Sequence, residues 1–294
     1  MKIAVLGGNG QLGEDICAAF LAKGDATTSL THADVSIESS DSLRQALDRI
    51  GPDVVVNTAA FHNVEKCEAE PEKAFAVNAQ GVRNVAQVSA ELKAKLFHIS
   101  TDYVFDGAKQ SPYLEQDAPL PLNVYGNSKL AGEYFARSTN PRHFVVRVSA
   151  IYGQHPCRAK GGLNFIELML KLSKERDHLR VVGDEYVSPT PTKEIASQIV
   201  ALSKTSDYGL FHATCEGSCS WYEFAKAIFE ITGTQVRLEQ AKPGEFAAKV
   251  ARPKYSVLEN AELKRKGLNR FNHWKEGLEG YLAHRAQPVH PRAV

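Results

Sequence analysis

A chain of 294 residues, 43% hydrophobic and 23% charged, is long enough for one large α/β domain or two lobes sharing an interface. Its formal net charge of +1 gives no reason to expect nucleic acid or an anionic membrane as partner, and no apolar run approaches the roughly 18 residues of a membrane span. The five cysteines (Cys17, Cys67, Cys157, Cys215, Cys219) lack paired metal-ligand spacing, and the N-terminal apolar run is too short for a signal-peptide core, so a cytoplasmic protein with reduced thiols is expected.

Residues 2–6 are an apolar run of strand length, followed by Gly7-Gly8-Asn9-Gly10-Gln11-Leu12-Gly13 and an amphipathic helix through residue 23. Strand, glycine turn and helix in that order is the context a dinucleotide fingerprint requires. Gly7 permits the tight turn, Gly10 lets the backbone approach a pyrophosphate, and Gly13 lets helix pack on strand. The helix N-terminus, with Gln11 and Leu12 in it, offers N–H groups and a partial positive charge to the phosphates. A second strand is expected over residues 26–30, with Thr31-His32-Ala33-Asp34-Val35 after it. An acidic residue at this strand's end takes the ribose hydroxyls of NAD and repels a 2′-phosphate. Thr31 and His32 hold that place and no arginine clamp stands there, so NADP(H) and NAD(H) are both expected, with NADPH modestly preferred.

A helix over residues 41–50 is stopped by Gly51-Pro52, and residues 53–57 read as a buried parallel strand. It ends in Asn57-Thr58-Ala59-Ala60-Phe61, where Ala59 and Ala60 are small enough for a cofactor to approach the backbone. Pro71 starts a helix, and Val77-Asn78-Ala79-Gln80-Gly81 leads into another through residue 92. The run over residues 96–99 puts Ser100 and Thr101 at a strand's C-terminal end, where ligands collect in an open α/β sheet. A helix over residues 125–137 carries Tyr125 and Lys129 on one face, one turn apart. An ammonium near a phenol favours phenolate, so Tyr125 should ionise more readily than usual. A tyrosine tuned this way can exchange a proton with a substrate oxygen that the Thr101 hydroxyl holds. Residues 142–148 give a fifth β unit, and strands alternating with helices mean an α/β fold with a doubly wound parallel sheet of Rossmann type.

From Ser149 the character changes. Residues 150–156 and Ala159-Lys160-Gly161-Gly162 form a loop rich in glycine and basic residues. A helix over residues 164–176, a strand over 179–182, a loop over 183–191 and a helix over 193–204 follow. Ser220-Trp221-Tyr222-Glu223 has capping-box form and opens a helix to residue 232. Arg252-Pro253-Lys254-Tyr255-Ser256 precedes a last helical region. With no repeat and no linker, the expected division is a Rossmann domain over 1–150 and a smaller, interleaved C-terminal substrate lobe over 151–285. Some segments of that lobe return to the first domain, and a frayed tail covers 286–294.

The Thr101, Tyr125 and Lys129 set resembles that of the short-chain dehydrogenases/reductases. Further motifs narrow the likeness: Gly7 to Gly13, Asn57-Thr58-Ala59-Ala60, Ser100-Thr101-Asp102-Tyr103-Val104-Phe105-Asp106-Gly107, residues 121–133 around Tyr125, Pro189-Thr190 and Arg252-Pro253-Lys254-Tyr255-Ser256. With them the chain resembles the dTDP-4-dehydrorhamnose reductase family of extended short-chain reductases, from Gly7 to about residue 282. The resemblance implies NAD(P)H-dependent reduction of a 4-keto-6-deoxy nucleotide sugar and a place in polysaccharide biosynthesis. It implies Tyr125 as proton donor, Lys129 tuning it and holding the nicotinamide ribose, and Thr101 with Asp102 positioning the keto group. Asp34-Val35 would meet the adenine, Asn78 would brace the site, and Arg252 would hold the substrate's diphosphate.

Two departures stand out. Ala150-Ile151 occupies a place where the family often has a tryptophan packing on the sugar. Lys193 stands about where some members have a metal-binding glutamate at a dimer contact, so no metal is expected. A homodimer is compatible with the resemblance. Three alternatives share the fold: a nucleotide-sugar epimerase or dehydratase, a non-catalytic regulatory subunit of the methionine adenosyltransferase type, and a dinucleotide-binding redox sensor. Tyr103, where a dehydratase usually has glutamate after the Ser/Thr-Asp pair, counts against dehydration.

Overall fold

Short runs of branched apolar residues, each closed by a turn or helix cap, build a single parallel sheet. The computed structural model describes residues 1–156, 161–242, 244–246 and 249–285. Its strands are β1 (Lys2–Leu6), β2 (Ala26–Leu30), β3 (Val54–Asn57), β4 (Lys95–Thr101), β5 (His143–Val148), β6 (Ile151–Tyr152), β7 (His178–Val181), β8 (Tyr186–Val187), β9 (Thr190–Pro191), β10 (Gly209–His212), β11 (Cys219–Ser220) and β12 (Arg237–Gln240). The main sheet has the order β10-β5-β4-β3-β1-β2, every pairing parallel. The helices are α1 (Gln11–Leu21), α2 (Ser40–Ile50), α3 (Val64–Ala69), α4 (Pro71–Phe75), α5 (Val82–Glu91), α6 (Val124–Thr139), α7 (Phe165–Glu175), α8 (Thr192–Ser203), α9 (Trp221–Thr232), α10 (Ala261–Arg265) and α11 (Trp274–Arg285).

Side chains alternate across a strand, so the two faces of the sheet seed two cores. Ile3, Val5, Val54, Val56 and Phe97 pack on one face with Ile16 and Phe20 of α1 and Ile195 and Ile199 of α8. Ala4, Leu6, Val55 and Leu96 pack on the other with Leu43 and Leu47 of α2 and Val82 and Val85 of α5. Both faces are covered, which is the Rossmann-like, doubly wound α/β architecture. From β1 the chain moves outward to β2, then crosses to β3 on the opposite side. The C-terminal ends of β1 and β3 therefore flank a topological switch point, where such sheets bind ligands.

Later segments do not form a separate sheet of comparable size. β6 pairs with β9, β8 with β11 and β7 with β12, while α8 packs on α1 and β10 joins the main sheet beside β5. Several local features differ from the sequence expectation, among them the short strands β6, β8, β9, β11 and β12. Residues 71–91 are not two separate helices: a π-helical turn, Ala76–Gly81, carries α4 into α5. Neither α3 nor β10 is foreseen from sequence, the first because it is six residues long, the second because it is four and opens on a glycine. The expected tail 286–294, Cys157, and Ala159 and Lys160 of the glycine-rich loop lie outside the described residues.

Candidate active site

The glycine turn comes first in the chain and forms one end of the site. Gly7 has φ +75, a left-handed conformation that favours glycine, and a Cβ there would stand 2.9 Å from the Ala59 backbone nitrogen. A Cβ on Gly13 would stand 2.4 Å from the Gly7 oxygen, whereas one on Gly10 would meet only that oxygen, at 3.2 Å. The turn is thus wedged between β3 and α1 but open above Gly10. Gly10 is also the N-cap of α1 and supplies no side-chain cap, so the first N–H groups of the helix lack a side-chain acceptor from it. A cradle with no room for side chains, and with helix-end donors, fits the pyrophosphate of a dinucleotide. Gln11, Leu12, Ala59 and Ala60 line the same wall. The Gln11 amide donates to the His155 carbonyl at 2.9 Å and ties the turn to the loop after β6.

Asp34 and Val35 stand apart from the cavity wall. The Asp34 carboxylate accepts from the backbone N–H and the hydroxyl of Thr31, at 2.8 and 2.7 Å, and these bonds hold it below the usual carboxylate range. Val35 is buried in the core against α2 and α5.

Thr101, Tyr125 and Lys129 meet at the C-terminal end of β4. Helix α6 starts where it does because the Asn123 side chain accepts from the Gly126 N–H at 2.9 Å. Gly126 lets the first turn lie against the chain leaving β4: a Cβ there would stand 2.2 Å from the Tyr103 carbonyl oxygen. The Tyr125 phenol and the Thr101 side chain then stand together on the wall of one cavity. From the far side Asn78, in the π-helical turn, donates to Ser128 of α6 at 3.0 Å and to the Phe61 carbonyl at 2.8 Å, and accepts from the Phe61 N–H at 2.8 Å. It pins the segment after β3 to the helix that carries the tyrosine.

Electrostatics here correct one expectation. Burial raises the Tyr125 pKa, with the Thr101 hydrogen bond opposing it. The phenol does not ionise more readily, because burial outweighs the other influences on it; the Lys129 ammonium donates to the Ile99 carbonyl at 2.6 Å. Burial pushes Lys129 down to about 8, while Glu133, one turn further along α6, pulls the other way. Glu133 is itself held by Arg147 Nε at 2.8 Å and Nη2 at 2.7 Å, and by Ser100 at 2.5 Å, in a fully buried cluster.

Asp102 is a hub beneath the site. Its carboxylate accepts from Thr101 at 3.0 Å, Ser149 at 2.8 Å and Ser256 at 2.6 Å. Burial raises its pKa and the three hydroxyls oppose the rise. With those partners Asp102 fixes the Thr101 side chain at the junction of β4, β5 and the 252–256 segment.

Arg252 lines the same cavity of about 600 Å³, and its guanidinium is bonded to Glu65 of α3. Among the wall residues to which the sequence motifs assign no site role are Phe165, Trp221 and Glu185. Phe165 and Trp221 are the first residues of α7 and α9, and their ring centroids lie 4.7 Å apart. The Trp221 backbone N–H donates to the Glu185 carbonyl at 3.3 Å, and burial raises the Glu185 pKa. A signal for Trp221 does exist, since the Ser220–Glu223 capping box fixes it as the first helical residue. Ala150, with φ +45, and Ile151 line the cavity, so the aromatic wall comes from α7 and α9 instead.

The family model for the RmlD substrate binding domain matches residues 1–287. The spore coat polysaccharide biosynthesis protein SpsK of Bacillus subtilis (strain 168) is 39% identical over 285 residues, covering 97% of this chain and 98% of that one. A dTDP-4-dehydrorhamnose reductase of Sinorhizobium fredii is 36% identical over 287 residues, 94% of this chain and 95% of that one. The crystal structure of dTDP-4-dehydrorhamnose reductase from Bacillus anthracis in complex with NADP superposes with a TM-score of 0.92 at 37% identity, covering 97% of this chain and 100% of that one. Matched in sequence and backbone along nearly all its length, the chain belongs to the dTDP-4-dehydrorhamnose reductase family of extended short-chain dehydrogenases/reductases.

Proposed function

We propose that this protein is an NAD(P)H-dependent oxidoreductase that reduces the 4-keto group of a 4-keto-6-deoxy nucleotide sugar, with Tyr125 as the proton donor. The observation that carries the reading is the Thr101–Tyr125 pair on the wall of one cavity that runs from the glycine turn to Arg252. A dinucleotide at the turn and a nucleotide sugar at Arg252 would meet at that pair.

A nicotinamide cofactor held by the glycine turn and Lys129 would supply the hydride that C4 of the sugar accepts. Thr101, fixed by Asp102, holds the keto oxygen. Tyr125 gives its phenolic proton to that oxygen as negative charge develops on it, which is general acid catalysis. Its raised pKa suits this direction, because the phenol carries its proton at neutral pH. Lys129 spends one N–H on Ile99 and has two left for the ribose of the cofactor. Arg252 supplies a permanently charged fork for the diphosphate.

Both cofactors are accepted, NADPH with a modest preference, since Thr31 and His32, not an acidic residue, follow β2, and the Asp34 carboxylate is already engaged by the Thr31 N–H and hydroxyl. Incubation with NADPH and a dTDP-4-keto-6-deoxy sugar should lower the reduced-nicotinamide absorbance with formation of the 4-hydroxy product. Cofactor binding without turnover on any 4-keto nucleotide sugar would overturn the reading in favour of a regulatory subunit.

A further inference from the structure

At the mouth of the cavity one cation faces two carboxylates. Arg252 Nη2 is bonded to Glu65, the second residue of α3. Glu185 lies close enough to the same guanidinium to add to the stability of its charge. Arg252 Nε is buried, and among the described residues it has no hydrogen-bond partner. Glu65 enters from the β3 side of the cavity, Arg252 and Glu185 from the later half of the chain, so the Glu65–Arg252 contact bridges the two sides.

A guanidinium grips an oxyanion two-pronged only when Nε and an Nη face the same acceptor. Here one prong is taken by Glu65 and the other is open. A sugar diphosphate brings two negative charges to this point, and like charges repel most where water is partly excluded. To take Nε and Nη2 together, a diphosphate has to displace the Glu65 carboxylate from Nη2.

Resting on the reading of Arg252 as the diphosphate site, we propose that Glu65 is a placeholder anion that occupies Arg252 until the substrate's diphosphate displaces it. Glu65 thereby sets the affinity for nucleoside diphosphates and bridges the mouth of the cavity until one enters. It is a positioning residue and takes no part in proton or hydride transfer.

Calorimetric titration of the NADPH-loaded full chain with dTDP, and separately with inorganic pyrophosphate, tests this. Glu65→Gln keeps the size and removes the charge, and should tighten both ligands by about two- to five-fold, the range in which exposed ion pairs act. Arg252→Ala should weaken both, and in that background Glu65→Gln should give no gain. Arg252→Gln serves the same cycle if the alanine variant fails to fold. An unchanged or weaker affinity in Glu65→Gln overturns the placeholder role, as does an equal gain without Arg252. If the wild-type chain binds dTDP and pyrophosphate not at all, the diphosphate site itself falls. A positive titration of wild type with a flat Glu65→Gln response removes only the placeholder.

Discussion

Tyr125 has to keep its proton until a substrate oxygen needs it, and burial raises its pKa accordingly. Tyr125→Phe keeps the ring and removes the proton, so turnover should fall by roughly 10²-fold or more, the usual scale for general acid catalysis. NADPH binding should persist in fluorescence titration. Turnover within a few-fold of wild type would remove the tyrosine from the chemistry. Lys129 titrates differently. With its pKa lowered to about 8, it is an ammonium below that pH and loses its charge above it. The pH profile of kcat/KM should therefore bend downward near pH 8, well below the ordinary lysine range. Lys129→Met should abolish the bend and cost both rate and cofactor affinity. A profile that stays flat to about pH 9.5, approaching the ordinary lysine range, would show that the lysine charge plays no part.

Helix α6 is the element that decides the site, because its first turn sets where Tyr125 stands. The Asn123 side chain caps the helix and also donates to the Ala251 carbonyl at 2.9 Å, next to Arg252. Asn123→Ala should cost about 0.5–2 kcal/mol in denaturant unfolding, the range for a lost N-cap. It should also raise the KM for substrate, because the same side chain fixes the 252 segment; equal stability and KM would place the start of α6 under other control. Legibility follows the same elements. Strands β1, β3, β4 and β5 are readable because each holds an apolar run closed by a glycine or small-residue turn, β2 because it follows the glycine turn and its helix, and α6 because Tyr125 and Lys129 share its face. β10 is not, since Gly-Leu-Phe-His is too short to show a period and is a strand only because β5 lies beside it. Asp102 is readable as a motif residue. Its three hydroxyl partners are not all so, because Ser149 and Ser256 reach it only through the tertiary fold. The direction of the Tyr125 shift is hidden for a related reason: spacing along a helix shows that Lys129 is near but not that burial outweighs the other influences on the phenol.

Across the whole molecule, the glycine turn comes from the first strand–helix unit and Arg252 from the later half of the chain, both lining one cavity, so cofactor and substrate affinities should be separable. Arg252→Ala removes a charged hydrogen-bonding partner worth about 1.5–3 kcal/mol, or roughly 10- to 150-fold in the KM for nucleotide sugar. The NADPH dissociation constant should not move. Parallel losses for both ligands would mean that the variant disturbs the fold, not a subsite.

The order β10-β5-β4-β3-β1-β2 has a consequence for how the chain is made. Synthesis delivers β1 to β5 first, and the edge of β5 stays unpaired until β10 and the α8 cover emerge later. A strand edge carrying Phe144, Val145 and Val146 is a template for pairing with another nascent chain. Folding must therefore wait for a distant segment, which raises contact order and slows closure. A fragment ending at residue 150 should accumulate in inclusion bodies, and co-expression of residues 151–294 should return part of it to solution. The two halves are readable as lobes along the sequence, yet the growing polypeptide has no early resting point between them.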